Sequence, residues 1–229
     1  MGAFPESYEE VDRMLTPKQN MLEVIKGGNP DRFVNQYEAV QLLFHPFMFA
    51  NPLLEPGQEN VVNAWGVTNT FPKGVPGSFP VHTPDKIVVK DIEDWQDYVH
   101  APSLKFTQDQ WDMVKAQYDA VDGEQAFKAA FVAPGLFEQT HHLCEISNAL
   151  VYYITNPDEM HDLIKYLTEW ELELAEGICS NLHPDAIFHH DDWGGLDSTF
   201  MSPAMFDEFL LEPYKETVSY THLRAHETS

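Results

Sequence analysis

The chain has 229 residues, of which 43% are hydrophobic and 13% aromatic, so it can bury the core of a sizeable single domain. Its 37 acidic and 13 basic side chains give a formal net charge of -24, which disfavours nucleic acid and anionic membrane surfaces as partners. The chain opens with no signal-peptide pattern and contains no run of about 18 apolar residues, so a cytoplasmic protein without a membrane span is expected.

The first well-marked element is a short helix. Thr16 is followed by Pro17 and Gln19, which is typical of a capped helix start. Gly27 and Gly28 then supply the flexible backbone with which many helices end. The sequence therefore predicts a helix between Thr16 and Gly27.

The next two segments are less regular. Residues 32–37 predict the beginning of a strand. Residues 55–84 are rich in Pro, Gly, Asn and Thr, which favours loops with little regular structure.

Strands and helices alternate in the second half of the chain. The apolar run 127–133 ends at Pro134 and predicts a strand, and a helix is expected over 138–155. Asn156-Pro157 marks another helix start, after which apolar residues recur at helical spacing over 160–178.

A further apolar run, 186–188, predicts a buried strand, and Ser202-Pro203 predicts the start of one more helix. Strands that alternate with helices indicate a mainly parallel sheet. The sheet is then either an open doubly wound sheet or a barrel.

Polar residues with chemical potential follow the strand at 186–188. His189, His190, Asp191 and Asp192 offer the nitrogen and carboxylate ligands that zinc takes in proteins, and alternation along a strand sends neighbours to opposite faces. They also fit an ordinary strand end whose polar groups are satisfied by their surroundings.

Two other groups of metal-ligating residue types stand apart from this strand end. His141-His142 is expected in the exposed first turn of a helix, with a ligand role as the alternative. Cys144 and Cys179 match no paired metal or redox spacing and are expected to be reduced, buried thiols.

The order of several short motifs resembles the uroporphyrinogen decarboxylase superfamily. The stretch 188–194, Phe-His-His-Asp-Asp-Trp-Gly, is similar to that family, as is the segment that follows it with Ser202-Pro203, Phe206, Phe209 and Pro213-Tyr214. Gly-Asn-Pro-Asp-Arg at 28–32 resembles the family's early Gly-x-Pro-Asp-Arg turn, and Ala133-Pro134 resembles its Gly-Ala-Pro turn.

The resemblance spans roughly Thr16 to Thr217. It implies a (β/α)₈ (TIM) barrel, with the active site at the carboxyl ends of the strands. A full barrel needs about 250 residues, so residues 1–217 are expected to form an incomplete barrel of about five of the eight strands. Residues 218–229 lack the apolar spacing of the preceding helix and are expected to be a non-native tail. The chain by itself is then expected to be inactive.

The superfamily contains two chemistries. Its decarboxylases carry an arginine-rich segment that holds the carboxylate arms of a tetrapyrrole, whereas residues 33–39 of this chain contain no arginine. Uroporphyrinogen decarboxylation, a step of porphyrin biosynthesis, is therefore the alternative. The resemblance favours the corrinoid-dependent methyltransferase and O-demethylase branch.

In that branch zinc activates a methyl donor or an acceptor thiol, and a corrinoid carried by a partner protein attacks the methyl carbon. The resemblance therefore implies a corrinoid-binding protein and a small-molecule methyl donor as partners. His190 and Asp192 are the expected metal ligands, and the remaining ligands are missing because neither cysteine lies in a matching position.

The expected site residues come from the segment at 35–38, from the loop-rich region 55–84 and from the strand end at 189–193. His190, Asp192 and Glu38 are the expected catalytic residues, and the expected substrate-binding residues are Asn35, Gln36, Trp65 and Trp193. The residues at 35–38 fit a simple strand end equally, and the two tryptophans fit packing beneath loops. A non-catalytic barrel that binds a small ligand or a corrinoid protein is the remaining alternative.

Overall fold

A computed structural model describes residues 15–35, 37–51 and 53–218. The helices within these ranges include α1 (Pro17–Lys26), α2 (Pro46–Ala50), α3 (Gln108–Asp119), α4 (Leu136–Cys144), α5 (Ile146–Thr155), α6 (Pro157–Leu182) and α7 (Pro203–Phe209), and residues 211–218 are helical as well. The strands are β1 (Val40–Leu43), β2 (Val61–Val62), β3 (Thr68–Thr70), β4 (Phe79–Pro80), β5 (Phe127–Val132) and β6 (Ala186–His189).

The central element is a parallel sheet with strand order β1-β5-β6. Val40 pairs with Phe127, and Ala129 pairs with Ala186, so the three carboxyl ends lie at one edge. The fold is mixed α/β, as the alternating pattern predicted. The parallel sheet has three strands in the described ranges, not the expected five or so, and they do not close into a barrel.

The strand expected at 32–37 is wrong, because the first strand begins at Val40. Local side-chain hydrogen bonds hold the earlier segment in turns instead. The amide oxygen of Asn20 accepts hydrogen bonds from the backbone N–H groups of Asp31 and Arg32. The carboxylate of Glu38 accepts hydrogen bonds from the Arg32 guanidinium and from the backbone N–H of Asn35.

Residues 55–84 are more regular than their composition indicated. Strands β2, β3 and β4 form a small antiparallel sheet in the order β2-β3-β4. Val61 pairs with Asn69, and Thr70 pairs with Phe79. The strands are only two or three residues long, too short for a periodic pattern to identify them.

The helix predicted over 138–155 is two helices. Glu145 separates α4 from α5 with a positive φ of 72°, and its carboxylate accepts a hydrogen bond from the Asn148 N–H at the start of α5. The predicted starts of α1 and α7 are confirmed, because Thr16 and Ser202 cap them through side-chain hydrogen bonds. Helix α6 also begins where predicted, although the Asn156 side chain does not cap it.

The two faces of the parallel sheet have different surroundings. Leu43, Ala130 and Val132 face the helices and are buried in the main apolar core. Phe131 and Phe188 lie on the opposite face, which is partly exposed. Strand β6 was predicted to be buried, but Ala186 is exposed and residues 187–189 are half-buried. The reason is that β6 is an edge strand among the described residues.

Both cysteines lie in helices and neither forms a disulfide. Cys144 is buried as expected, and burial raises the pKa of its thiol to about 12. Cys179 is only partly buried. None of the described helices combines the length and the apolar character that crossing a membrane requires.

Candidate functional site at the carboxyl edge of the parallel sheet

The carboxyl ends of β5 and β6 meet at a close contact. The His190 N–H donates to the Val132 carbonyl oxygen over 2.9 Å, which extends the pairing of the two strands. Gly135 follows β5, and a Cβ atom at this position would lie 2.5 Å from Asp191 Cβ and 2.7 Å from His189 Cε1. A residue with no side chain is therefore required where the β5–α4 loop crosses the end of β6.

Asp191 connects this strand end to the surrounding elements. Its carboxylate accepts hydrogen bonds from the backbone N–H groups of Phe137 at 3.0 Å and Glu138 at 2.7 Å, at the start of α4. Trp193 Nε1 donates to the same carboxylate at 2.9 Å, and the Tyr214 hydroxyl also donates to it. A carboxylate at a helix amino terminus satisfies otherwise unpaired N–H groups, so Asp191 is a positioning residue.

His190 lies between two carboxylates on the partly exposed side of the edge. Its Nδ1 is 3.3 Å from Glu138 Oε2, and its Nε2 is 3.6 Å from Asp192 Oδ1. The Glu138 side chain is 16% exposed, and burial raises its pKa to about 7, with His190 opposing that rise and the carboxylates of Asp192 and Asp191 adding to it. The Glu138 carboxyl, which contacts His190, can therefore take up and release a proton near neutral pH.

His189 forms a second histidine–glutamate pair on the helix-covered side. Its Nε2 is 3.1 Å from Glu171 Oε2, and the Glu171 side chain is 4% exposed. Burial raises the pKa of Glu171, and the hydrogen bond from His189 opposes that rise. Burial acts to lower the pKa of His189, but the contacts with Glu171 prevail and raise it. This pair is enclosed, whereas the His190 side chain is 40% exposed.

A narrow cleft adjoins the buried pair. Its free volume is about 20 Å³, which is room for about one water molecule. Its polar lining residues are Asn51, Asn63, Gln139 and Glu171, and its larger apolar lining residues are Phe47, Trp65, Leu167 and Trp170. The loop after β5 contributes Ala133 and Pro134, so the cleft opens beside the carboxyl edge of the sheet.

The structure brings together some of the residues predicted for the site. His190 and Asp192 are adjacent, and Trp193 joins them through its hydrogen bond to Asp191. Trp65 lies in the cleft, where its ring centroid is 5.0 Å from that of Trp170.

The residues predicted near the first strand lie elsewhere. Asn35 and Glu38 precede β1, so they belong to the amino edge of the sheet, opposite His190. Their assignment depended on a position at the carboxyl end of a strand, and that position is wrong. Gln36 lies outside the described residues.

The expected exposed first-turn position of His141 and His142 is also wrong. Both lie in the last turn of α4 and are partly buried. Burial lowers the pKa of His142 to about 3 and lowers that of His141 as well. His142 Nε2 is 3.6 Å from Glu138 Oε1, so it contacts the site from the side.

The fit to a metal ion is incomplete. Across the described part of the chain, no three His, Cys, Asp or Glu side chains are grouped as a metal site requires. His190 and Asp192 provide a nitrogen and a carboxylate, which is fewer than the three protein ligands of a catalytic zinc site.

The sequence analysis missed Glu138, Gln139, Glu171 and Tyr214. A usable signal existed for Glu171, which interrupts the buried stripe Ile164, Leu167, Leu174 and Ile178 of α6 with a charged residue. An acidic residue on the apolar face of a helix needs a buried partner, and that requirement points to a site. Tyr214 lies in a segment that resembles the family, and Glu138 and Gln139 carry no comparable pattern.

Comparison with known proteins supports one family. The family model for uroporphyrinogen decarboxylase (URO-D) matches residues 61–228, which is more than half of the chain and includes the whole carboxyl-edge site. No curated protein and no solved structure matches the chain. The matched range leaves out residues 28–32, one of the motifs on which the resemblance depended. The chain therefore belongs to the uroporphyrinogen decarboxylase (URO-D) family.

Proposed function

We propose that this protein is a URO-D-superfamily enzyme that transfers a methyl group from a small methylated molecule to a corrinoid protein or a thiol. The observation that carries the proposal is the charge of the carboxyl edge. Glu138, Glu171, Asp191 and Asp192 cluster there with His189 and His190, and no Lys or Arg side chain forms a hydrogen bond or ion pair with any of them in the described ranges. The lining of the cleft contains no Lys or Arg either.

This charge pattern supports methyl transfer over decarboxylation of a tetrapyrrole. A tetrapyrrole with several carboxylate arms needs cationic partners, because unpaired carboxylates near a negative surface are strongly disfavoured. A small neutral or cationic methylated molecule has no such requirement. Decarboxylation remains the second candidate function, and the description of the matching family model favours it.

The arrangement of the sheet supports the barrel architecture that the resemblance implies. Helices cover one face of the β1-β5-β6 sheet, and the other face presents Phe44, Phe131 and Phe188 partly exposed. A doubly wound sheet carries helices on both faces, whereas a barrel strand turns one face toward the barrel interior. In this proposal Phe131 and Phe188 line the interior and His190 stands at its mouth.

The Glu138–His190 pair supplies proton transfer in the proposed reaction. When the bond between the methyl carbon and its heteroatom breaks, the bonding electrons stay on the heteroatom. Glu138 and His190 can then deliver the proton that the heteroatom takes up. Solvent then restores the proton through the exposed side of His190. The corrinoid of a partner protein would supply the nucleophile for the methyl carbon. The described residues do not complete a zinc site, so no step is assigned to zinc.

Two assays of the protein separate the candidates. In the first, the protein is incubated with cob(I)alamin and methoxylated aromatic or N-methylated donors, and methylcobalamin is followed by its absorption. We expect Glu138→Gln to lower this rate by about 10²-fold, because general acid–base groups contribute about 10²–10⁴-fold. The matched control is Glu169→Gln, an exposed glutamate of α6, which should keep the rate.

In the second assay, the protein is incubated anaerobically with uroporphyrinogen. Accumulation of coproporphyrinogen would establish decarboxylation and overturn the proposal. Turnover in neither assay, with ligand binding retained, would favour the non-catalytic alternative.

A further inference from the structure

The contact between Glu138 and His190 joins two elements that are distant in the chain. Glu138 lies in the first turn of α4 and His190 follows β6, with Glu138 Oε2 3.3 Å from His190 Nδ1. The pairing of β5 with β6 ends at the hydrogen bond between the His190 N–H and the Val132 carbonyl oxygen, so it does not include α4. The distance between the two side chains therefore depends on what fixes the first turn of α4 to the strand end.

Asp191 makes this connection through the backbone of Glu138 itself. Its Oδ1 accepts a hydrogen bond from the Glu138 N–H at 2.7 Å, and its Oδ2 accepts one from the Phe137 N–H at 3.0 Å. Because Asp191 directly follows His190 in the chain, these two bonds join the backbone on both sides of the contact. The orientation of the Asp191 carboxylate therefore determines where Glu138 lies relative to His190.

Two side chains hold the Asp191 carboxylate in this orientation. Trp193 Nε1 donates a hydrogen bond to Oδ2 at 2.9 Å, and the Tyr214 hydroxyl donates to the same oxygen. The two donors also contact each other, because Trp193 Nε1 lies 3.4 Å from the Tyr214 hydroxyl oxygen. Tyr214 belongs to the helical segment 211–218, so its hydrogen bond connects a third element to the site.

The ring of Tyr214 is held independently of its hydroxyl. Its centroid lies 5.4 Å from that of His189, 5.5 Å from that of Trp193 and 6.2 Å from that of Phe206. Burial raises the pKa of the Tyr214 hydroxyl, and the Asp191 carboxylate raises it further, so the hydroxyl keeps its proton and remains a donor. A phenylalanine at this position would therefore keep the ring contacts and lose only the hydrogen bond to Asp191.

We propose that Tyr214 is a positioning residue of the site. Through Asp191, its hydroxyl holds the first turn of α4 so that Glu138 contacts His190. The inference deepens the proposed methyl transfer and rests on that function only for its effect on the rate. The position of Glu138 can be measured without substrate, so failure of this inference and failure of the proposed function are distinguishable.

The first test measures amide hydrogen exchange by NMR in the protein without substrate. In Tyr214→Phe the Glu138 N–H should exchange about tenfold faster, because the carboxylate that accepts it is held less firmly, whereas the Leu143 N–H in the last turn of α4 should be unchanged. The matched control is Tyr166→Phe, which removes a hydroxyl of α6 that accepts a hydrogen bond from the Ala101 N–H at 2.8 Å. Unchanged exchange at Glu138, or equal acceleration at Glu138 and Leu143, would overturn the proposal.

The second test asks whether Tyr214 acts through Asp191. Asp191→Asn should itself accelerate exchange of the Glu138 N–H, because a neutral amide oxygen is a weaker acceptor than a carboxylate. Tyr214→Phe added to this variant should then change the exchange rate by less than about twofold, since the carboxylate that transmits the effect is already absent. Full addition of the two effects would mean that Tyr214 acts by another route, which contradicts the proposal.

The third test follows methyl transfer in the cob(I)alamin assay. Tyr214→Phe should lower kcat about tenfold and change KM by less than about twofold, because a displaced Glu138 slows proton transfer without weakening substrate binding. Tyr166→Phe should keep both constants. An unchanged kcat together with faster exchange at Glu138 would show a purely structural contact and overturn the proposal. Absence of turnover in the unaltered protein would instead contradict the proposed function, and the exchange measurements would still decide whether Tyr214 positions Glu138.

Discussion

The two histidine–glutamate pairs at the carboxyl edge contain the same groups in different surroundings. His189 and His190 are neighbours, yet His189 bonds to a glutamate that is 4% exposed, and His190 is 40% exposed beside Glu138. Successive strand residues point to opposite faces, and only one face of this sheet is covered by helices. Removal of one member of the buried pair should therefore cost more stability than removal of one member of the exposed pair, whereas only the exposed pair is accessible to solvent and substrate.

The largest expected difference is in stability. His189→Ala leaves the Glu171 carboxylate buried without its partner, so the free energy of unfolding at pH 7 should fall by about 3 kcal/mol. His190→Ala breaks contacts that are partly exposed and should cost less than about 1 kcal/mol. Urea unfolding of both variants measures the difference. Similar losses would mean that the two pairs do not differ as their burial indicates.

The next largest loss of stability is expected at Gly135, where the β5–α4 loop crosses the end of β6. Gly135→Ala would place a methyl group against Asp191 and His189, so the free energy of unfolding should fall by about 2 kcal/mol. Gly123→Ala is the control, because a Cβ there meets nothing within 4 Å. Unchanged stability in the Gly135 variant would indicate that the loop and the strand end are not in close contact.

A smaller effect concerns the pH dependence contributed by Glu138. Its pKa lies at about 7 in the folded protein against an ordinary value of 4.5, so the folded state retains the proton over that interval. The contribution to stability is therefore complete below about pH 4.5 and is lost as the pH rises to about 7. Glu138→Gln should flatten this part of the stability profile, whereas Glu169→Gln should leave it unchanged. Denaturant midpoints measured between pH 4 and pH 8 test this.

The smallest expected effect is at the opposite edge of the sheet. Glu38 binds Arg32 and the backbone N–H of Asn35 before β1. Glu38→Gln should therefore change the rate of methyl transfer by less than about twofold, because the removed charge does not contact the reacting atoms. A loss as large as that of Glu138→Gln would restore Glu38 to the catalytic site for which the sequence nominated it.

The sequence indicated where the site lies, but not all of the residues that form it. The polar residues 189–192 at the end of a strand indicated where chemistry would be found, and the structure places His190 and Asp192 there. Glu38 was the third expected catalytic residue, whereas the glutamate that contacts His190 in the structure is Glu138 from the first turn of α4. Residues 138 and 190 come together only because β5 and β6 pair in parallel.

The sequence by itself determined the elements whose signals are local. Capping side chains, prolines and apolar spacing identified α1, the long helix α6, α7 and the strands β5 and β6, because these features act within a few residues. The tertiary structure decided which strand end lies at which edge, which histidine is enclosed and which glutamate pairs with it. Those outcomes depend on the register of the sheet and on which face the helices cover, and both are set by contacts between residues distant in the chain.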